Sequence, residues 1–467
     1  MLEYLEQQKK LTINQWKIFA AATIGDMLDF FDFLLIAFVL AFIVKDWHLT
    51  YGKAAAILLS SGVSAPLGSL FWGWAADKIG RRKVMIGTIL NFSIATGLMA
   101  LTPEYGWVFL VICRFFVGFG VTGLYTVDIA VVQEFVPAYR RGWITGVTTT
   151  MLPAGFIIGA VLGQHFEAYI GWRGMFAVGL LPAGLSLLIR AWVPESPHWL
   201  IRMGRFEEAR RSLAWALMID PREIQLPTAA PSVEKVAWRE LFKYPRSIAA
   251  GCLTGLSGTG ITGFLLWQVT LFVMVLHVTP AQASGLVIWA SLGQIVGRFF
   301  CSWISDAMGR RASIALTCAI AGVTFSLAGY WHDLFIGGFS VFYLMILVQQ
   351  FFGSGSYSII GPYMAEIWPA RLRASGLGLA YGAGNLGKFI GPAGLALIAG
   401  SSNLVSPQAT IDALIPGMNY FAAWSILGIV AALFIGFETR GRTIDEIDSA
   451  LTAKGMSQHR LSRPRHE

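Results

Sequence analysis

The chain has 467 residues, 55% hydrophobic and 13% charged, with a mean hydropathy of +0.61. A soluble globular protein carries about a quarter charged residues, so this composition excludes that class and points to a chain that crosses a membrane many times. The net charge of +8 comes from 35 Lys and Arg against 27 Asp and Glu. The basic residues sit in short loops between apolar runs, which speaks for membrane topology and against a nucleic-acid partner. The four cysteines, Cys113, Cys252, Cys301 and Cys318, fall in or beside apolar runs without a CxxC pair. They suggest small buried core residues, and neither a metal site nor a cofactor is expected.

The N-terminal MLEYLEQQKKLTINQWK reads as a polar cap, not a cleavable signal peptide. The first apolar run, from about Phe19 to Val44, is long enough for a bilayer, which needs roughly 20 apolar residues. It nevertheless carries Asp26, Asp29 and Asp32. An ionised carboxylate at mid-membrane costs at least ~2.5–3.5 kcal/mol. At i, i+3, i+6 the acids lie on one side, about 4.5 Å apart along the axis, and that side must face protein or water. They either hold a neighbouring helix through ion pairs, or at least one of them takes up and releases a proton.

Apolar stretches follow at about 54–76, 84–102, 106–133, 146–170 and 174–193. A polar segment, 194–246, separates them from six more runs near 248–276, 283–304, 312–331, 334–362, 375–400 and 416–437. The spacing predicts twelve membrane-spanning helices in an all-α membrane protein. The polar segment has helical periodicity with a Glu207–Arg211 pair at i, i+4 and reads as amphipathic helices. With the N-terminus in the cytoplasm, Lys78, Arg81, Arg82 and Lys83, then Arg140 and Arg141, Arg310 and Arg311, and Arg371 and Arg373 all fall in cytoplasmic loops. That satisfies the positive-inside rule with both termini cytoplasmic. The expected location is the plasma (inner) membrane.

The chain repeats itself. GWAADKIGRRK (73–83) has a copy in SWISDAMGRRA (302–312), and QEFVPAYRRG (133–142) a copy in AEIWPARLRASG (365–376). Asp77 and Asp306 are 229 positions apart; Glu134 and Glu366 are 232 apart. Two pairs at nearly one offset indicate two parallel six-helix halves: 1–193, a central loop 194–246, a second half 247–438, and a tail 439–467. Such halves belong to a transporter architecture with its substrate near mid-membrane.

These motifs resemble those of the major facilitator superfamily. GWAADKIGRRK is similar to its G-x-x-x-D-[RK]-x-G-R-R-[KR] loop, and RFFVGFGVTG (114–123) to its fourth-helix R-x-x-x-G-x-G. VPESPHWL (193–200) and FETRGRTIDEI (437–447) resemble segments of sugar porters and organic-acid symporters, with Phe437 in place of the usual proline. The D-x-x-D of LDFFDFLLI resembles the first helix of proton symporters for aromatic acids and sialic acid. The resemblance implies alternating access, with charge clusters that latch the cytoplasmic side in one state: Asp77, Arg81, Arg82, Glu134 and Arg141, and in the second copy Asp306, Arg310, Arg311, Glu366 and Arg373. Asp77 is a candidate cap for a nearby helix N-terminus. Arg298, eight positions before Asp306, is assigned to the same network.

Arg114 needs an acid at mid-membrane, and Asp29 or Asp32 supplies one. Contact would keep the acid ionised, and separation in a dry site would invite a proton. Asp32 is the expected proton carrier, Asp29 the acid that contacts Arg114, and Asp26 the most replaceable. Asp128 is a further candidate acid or part of the Glu134 network. Lys388, mid-run in GAGNLGKFIGP, is a candidate site for an anionic substrate. Asn385, Gln268 and Tyr125 are companion substrate candidates, with His165 and Trp267 weaker ones. The resulting expectation is a proton-coupled importer of a small organic anion, a carboxylate such as an aromatic or sugar acid, acting as a monomer. The alternatives are a neutral-sugar or polyol symporter, a proton-driven exporter, or a non-transporting membrane receptor. No catalytic constellation is present to suggest an enzyme.

Overall fold

The computed structural model describes residues 5, 8, 10–224, 226, 238–369, 372–440 and 446. The chain is helical nearly throughout. In the first part, α1 is Ile13–Asp46, α2 Tyr51–Ile79, α3 Arg81–Met99, α4 Trp107–Phe135 and α5 Ala138–Val161. A π turn at Leu162–Phe166 leads into α6, Glu167–Val178, and α7 is Pro182–Trp192. The polar segment forms α8, Pro197–Arg202, and α9, Phe206–Leu217. Then come α10 (Pro245–Leu276), α11 (Pro280–Met308), α12 (Arg310–Tyr330), α13 (Val341–Gly355), α14 (Tyr357–Glu366), α15 (Arg373–Ile398), α16 (Pro407–Asp412) and α17 (Leu414–Val430).

Backbone polar groups have no water to bond in a bilayer, which is why the apolar runs are helices. Among the described residues, eight helical stretches are by themselves long and apolar enough to cross a membrane. One of them, Trp143–Leu185, contains two of the expected runs, divided at Gly171, whose φ of 65° breaks the helix. The other three expected runs are α3, the broken pair α13–α14, and α15. The run expected from 334 begins as a helix only at Val341. Gly337 and Gly338, with φ of 58° and 84°, instead close a two-stranded hairpin between Phe335–Ile336 and Phe339–Ser340. A Gly-Gly pair with both residues left-handed is the preferred two-residue hairpin turn.

The chain divides into two compact units, 1–36 with 60–234, and 37–59 with 235–467. In the first unit the helices meet through small residues, the usual means of close approach in lipid. A Cβ on Gly68 would lie 2.2 Å from the Phe119 carbonyl oxygen, one on Gly118 2.2 Å from that of Ser61, and one on Gly155 2.0 Å from that of Met27. Thr122 donates to the Ala65 carbonyl and Trp72 to that of Phe119. These contacts hold α2 against α4, and α5 against α1. The helix α9 packs Leu213, Ala214 and Leu217 on Leu5 and Ile224, while Thr12 and Asn14 donate to the carbonyls of Ala216 and Trp215. Within α9, Glu207 pairs with Arg210 at 2.6 Å, not with Arg211 as its spacing suggested. Arg210 also donates to the Ile224 carbonyl, which fixes it on that side.

The second unit is built on α10 against α15, again through glycines: Gly255 against Ala380, Gly263 against Gly391, and Gly387 against Gly260. The turn between α1 and α2 belongs to this unit. Tyr51 and Gly52 donate their amides to the carbonyls of Asn403 and Ser401, and the Tyr51 hydroxyl lies 2.6 Å from that of Thr410.

Candidate functional site

The first unit buries an unusual set of charges among α1, α3 and α4. Asp26, Asp29, Asp32, Arg114 and Asp128 are all buried. Arg114, in the third turn of α4, donates Nη2 to Ser61 Oγ at 2.7 Å and Nη1 to the main-chain carbonyl of Asp32 at 3.3 Å. Its guanidinium lies 5.4 Å from the Phe33 ring centroid. The Asp32 carboxylate lies within electrostatic reach of Arg114. The Asp32 carboxyl faces Thr96 of α3 and the break after α6, where a Cβ on Gly179 would lie 2.9 Å from Oδ1. A dry carboxylate near a dry guanidinium favours both charges while they are close, and favours protonation of the acid once they part.

Asp128 belongs to the same buried set. It is buried, not solvated, and lies within electrostatic reach of Asp26. Asp26 is therefore not the peripheral member of its helix. No spacing rule links positions 26 and 128, and only the packing of α1 on α4 brings them together.

At the loop end of the same unit, Asp77 lies 3.5 Å from Arg202 of α8 and does not cap a helix. The cap belongs to Glu195, whose Oε1 accepts from the amides of Arg81 (2.8 Å) and Arg82 (3.1 Å) at the N-terminus of α3. A carboxylate there satisfies orphan amides and the positive helix end together. Arg81 pairs with Glu134 at 3.0 Å, and Glu134 accepts from the hydroxyl of Ser196. Ser196 itself caps α8 through the Trp199 amide.

The second unit carries the same arrangement. Glu438 accepts from the amides of Arg310 (2.9 Å) and Arg311 (3.2 Å) at the start of α12. Arg310 reaches Glu366 at 3.5 Å, and Glu366 accepts from Thr439 at 2.5 Å. Here Asp306 pairs with Arg310 at 2.9 Å. Arg311 bonds the carbonyls of Ala432 and Leu433, and Arg373 that of Ala365. The motif glycines explain themselves. Gly80 and Gly309 adopt φ of 100° and 94°, and a Cβ would lie 2.3 Å and 2.7 Å from the capping carboxylates. Sequence reasoning quoted both segments that contain Glu195 and Glu438 but gave neither acid a role.

Arg298 is buried on α11. It donates to Ser354 Oγ at 3.0 Å and lies 5.7 Å from the Tyr357 ring centroid. Lys388 and Asn385 are half-buried one turn apart on α15. Gln268 on α10 is fully buried, and neither its amide oxygen nor its nitrogen has a hydrogen-bond partner. Trp267 is a packing residue, donating to the Pro392 carbonyl at 3.1 Å beside the Tyr51 ring. His165 is exposed on the π turn. The side chains of Tyr125 and Arg141 lie outside the described residues.

The profile of the family described as "Sugar (and other) transporter" matches residues 17–451. The niacin transporter NiaP of Acinetobacter baylyi is 28% identical, over 91% of this chain and 94% of its own. The cis,cis-muconate transport protein of the same organism is 24% identical (92% and 96%), and the sialic acid transporter NanX of Escherichia coli 26% identical (93% and 96%). The proton:xylose symporter XylE superposes with a TM-score of 0.70 at 19% identity, over 95% of this chain and 100% of its own. The repeated capping network, the buried charges of α1 and α4, and a family match across nearly the whole sequence lead to one conclusion: this chain belongs to the sugar (and other) transporter family of the major facilitator superfamily, and is a multi-pass membrane transporter of small metabolites.

Proposed function

We propose that the protein imports a small organic anion together with protons. The observation that carries this reading is the buried meeting of Arg114 with Asp32 and Ser61. A mid-helix guanidinium and carboxylate without water are costly unless their separation and reunion serve a cycle. Asp32 is the proton carrier and Asp29, one turn away, sets its field. Lys388, with Asn385 and Gln268, binds the carboxylate of the substrate. Three relatives named for niacin, cis,cis-muconate and sialic acid support the anion class, since all three compounds are carboxylic acids. The two capped GRR clusters, with Glu134 and Glu366, open and close the cytoplasmic side, on which both termini lie.

A second reading, a neutral-sugar symporter, draws on the likeness to a proton:xylose symporter. Uptake into proteoliposomes under an imposed pH gradient decides between them. The anion reading expects saturable, uncoupler-sensitive accumulation of at least one monocarboxylate and none of neutral sugars. Accumulation of sugars alone would reject it.

A further inference from the structure

The hairpin that joins α12 to α13 has no part in the transport cycle above. Its sequence from Leu334 to Val341, LFIGGFSV, carries no charge. Phe335, Ile336 and Phe339 are 66%, 67% and 64% exposed, and Leu334 is exposed beside them. The segment is nevertheless bonded in place. Ile336 pairs with Phe339 and Phe335 with Ser340. The Val341 amide donates to the Leu334 carbonyl at 2.9 Å, and the Leu334 amide to that of Trp331 at 3.2 Å. Large apolar side chains held out in this way are costly in water, and such a projecting edge invites aggregation.

The position of the hairpin says what covers it. Helix α12 begins at Arg310 and ends at Tyr330, and its 21 residues rise about 31 Å, close to the ~30 Å of a hydrocarbon core. The hairpin therefore lies at the membrane surface opposite the Arg310–Arg311 cluster. Leu316, Val323 and Tyr330, two turns apart in sequence, are exposed and form a lipid-facing stripe of α12 that runs up to the hairpin. Tyr330 and the exposed Trp331 stand at its end, where aromatic residues mark a membrane interface. The adjoining Asp333, exposed and 2.9 Å from His332, suits the headgroup level and not the hydrocarbon. Successive strand side chains point to opposite faces, so Phe335 and Ile336 are exposed on different sides of the hairpin. A protein partner would cover one side; fluid acyl chains cover both. The outward backbone groups of so short a hairpin need water or headgroups, which excludes the bilayer centre.

We propose that this hairpin is a lipid-docking element. Phe335, Ile336 and Phe339 lie among acyl chains, about 5–10 Å into the headgroup boundary of the leaflet opposite the Arg310–Arg311 cluster. The occupant is the bilayer itself, not a second copy or a soluble partner. Docking fixes the adjoining ends of α12 and α13 at one depth in that leaflet. The element serves any substrate, because it uses only the span of α12 and the surface of the hairpin.

Spin-label accessibility on the full-length protein in proteoliposomes tests it. Labels go on Phe335→Cys and Ile336→Cys, one on each side of the hairpin. Val323→Cys, exposed on α12, is the lipid-facing reference, and Glu207→Cys, exposed on α9, the aqueous one. Unsubstituted protein labelled in parallel measures the background from the four native cysteines, and monodisperse elution checks each variant. Both hairpin labels are expected to collide more with oxygen than with a water-soluble nickel chelate, as at position 323, reversing the order at position 207. A label at either site that favours the chelate would place the hairpin in water and overturn the proposal. A label shielded from both reagents would reveal a protein partner and overturn it equally.

Discussion

Arg114 has exchanged water for a hydroxyl, a main-chain carbonyl and an aromatic ring. Of these, Ser61 makes the shortest contact, so Ser61→Ala leaves a buried donor short of an acceptor. A hydrogen bond to a charged group is worth about 1.5–3 kcal/mol. The variant is expected to unfold at lower temperature and to transport more slowly, as measured by thermal unfolding in detergent and by uptake. Lys388→Ala should weaken the best anionic substrate by roughly 10- to 100-fold, the equivalent of one lost charge-assisted contact. Unchanged affinity by isothermal calorimetry would remove Lys388 from the binding site. At this scale the sequence exposed the charges, because a lysine or an aspartate in an apolar run stands out on its own. It did not expose their partners. The placing of Arg114 against Ser61 and the Asp32 main chain is set by helix rotation and packing, which the i, i+3 spacing of the acids does not encode.

Two elements with the same device make the strongest link between motif and structure. Helices α3 and α12 each begin after a left-handed glycine, and each is capped by a carboxylate from far along the chain, Glu195 and Glu438. Replacing either acid by glutamine keeps an acceptor but removes the charge that favours the helix N-terminus, a loss of about 0.3–1 kcal/mol each. Single variants are expected to fold and to transport at reduced rate; the double variant should show the larger defect and a shifted balance of conformers, as read by site-specific cysteine labelling at the two ends of the chain's helices. Gly118→Val is a harsher test at the same scale. Its side chain would run into the Ser61 main chain and force α2 from α4, an overpacking cost of about 1–3 kcal/mol that also moves Ser61 away from Arg114. Uptake should fall more than stability. Motif spacing revealed the two loop clusters, since they recur in sequence. The caps escaped notice because the acid and the amides it holds lie more than a hundred residues apart. The exposed Asp77–Arg202 contact is the kind of ion pair that adds ~0–1 kcal/mol of stability, so in the proposed cycle its use lies in being made and broken.

Over the whole molecule, the repeat offset, the twelve apolar runs and the basic loops were legible because lipid imposes length, composition and charge rules that act locally. The interruptions were less so: the left-handed Gly171, the Gly337–Gly338 hairpin and the break at Ser356 leave the runs apolar while ending the helices. What the fold cannot supply is coupling, since one architecture serves many substrates and both symport and uniport. In the proposed cycle, coupling rests on the acid that meets Arg114. Asp32→Asn fixes that side chain in the shape of its protonated form and removes its titration. The direct measurement is gradient-driven uptake beside equilibrium exchange in the same proteoliposomes, with the substrate identified by the carboxylate screen. The account predicts that Asp32→Asn exchanges substrate across the membrane yet no longer concentrates it when a pH gradient is imposed. Continued accumulation against the substrate gradient in that variant would contradict it.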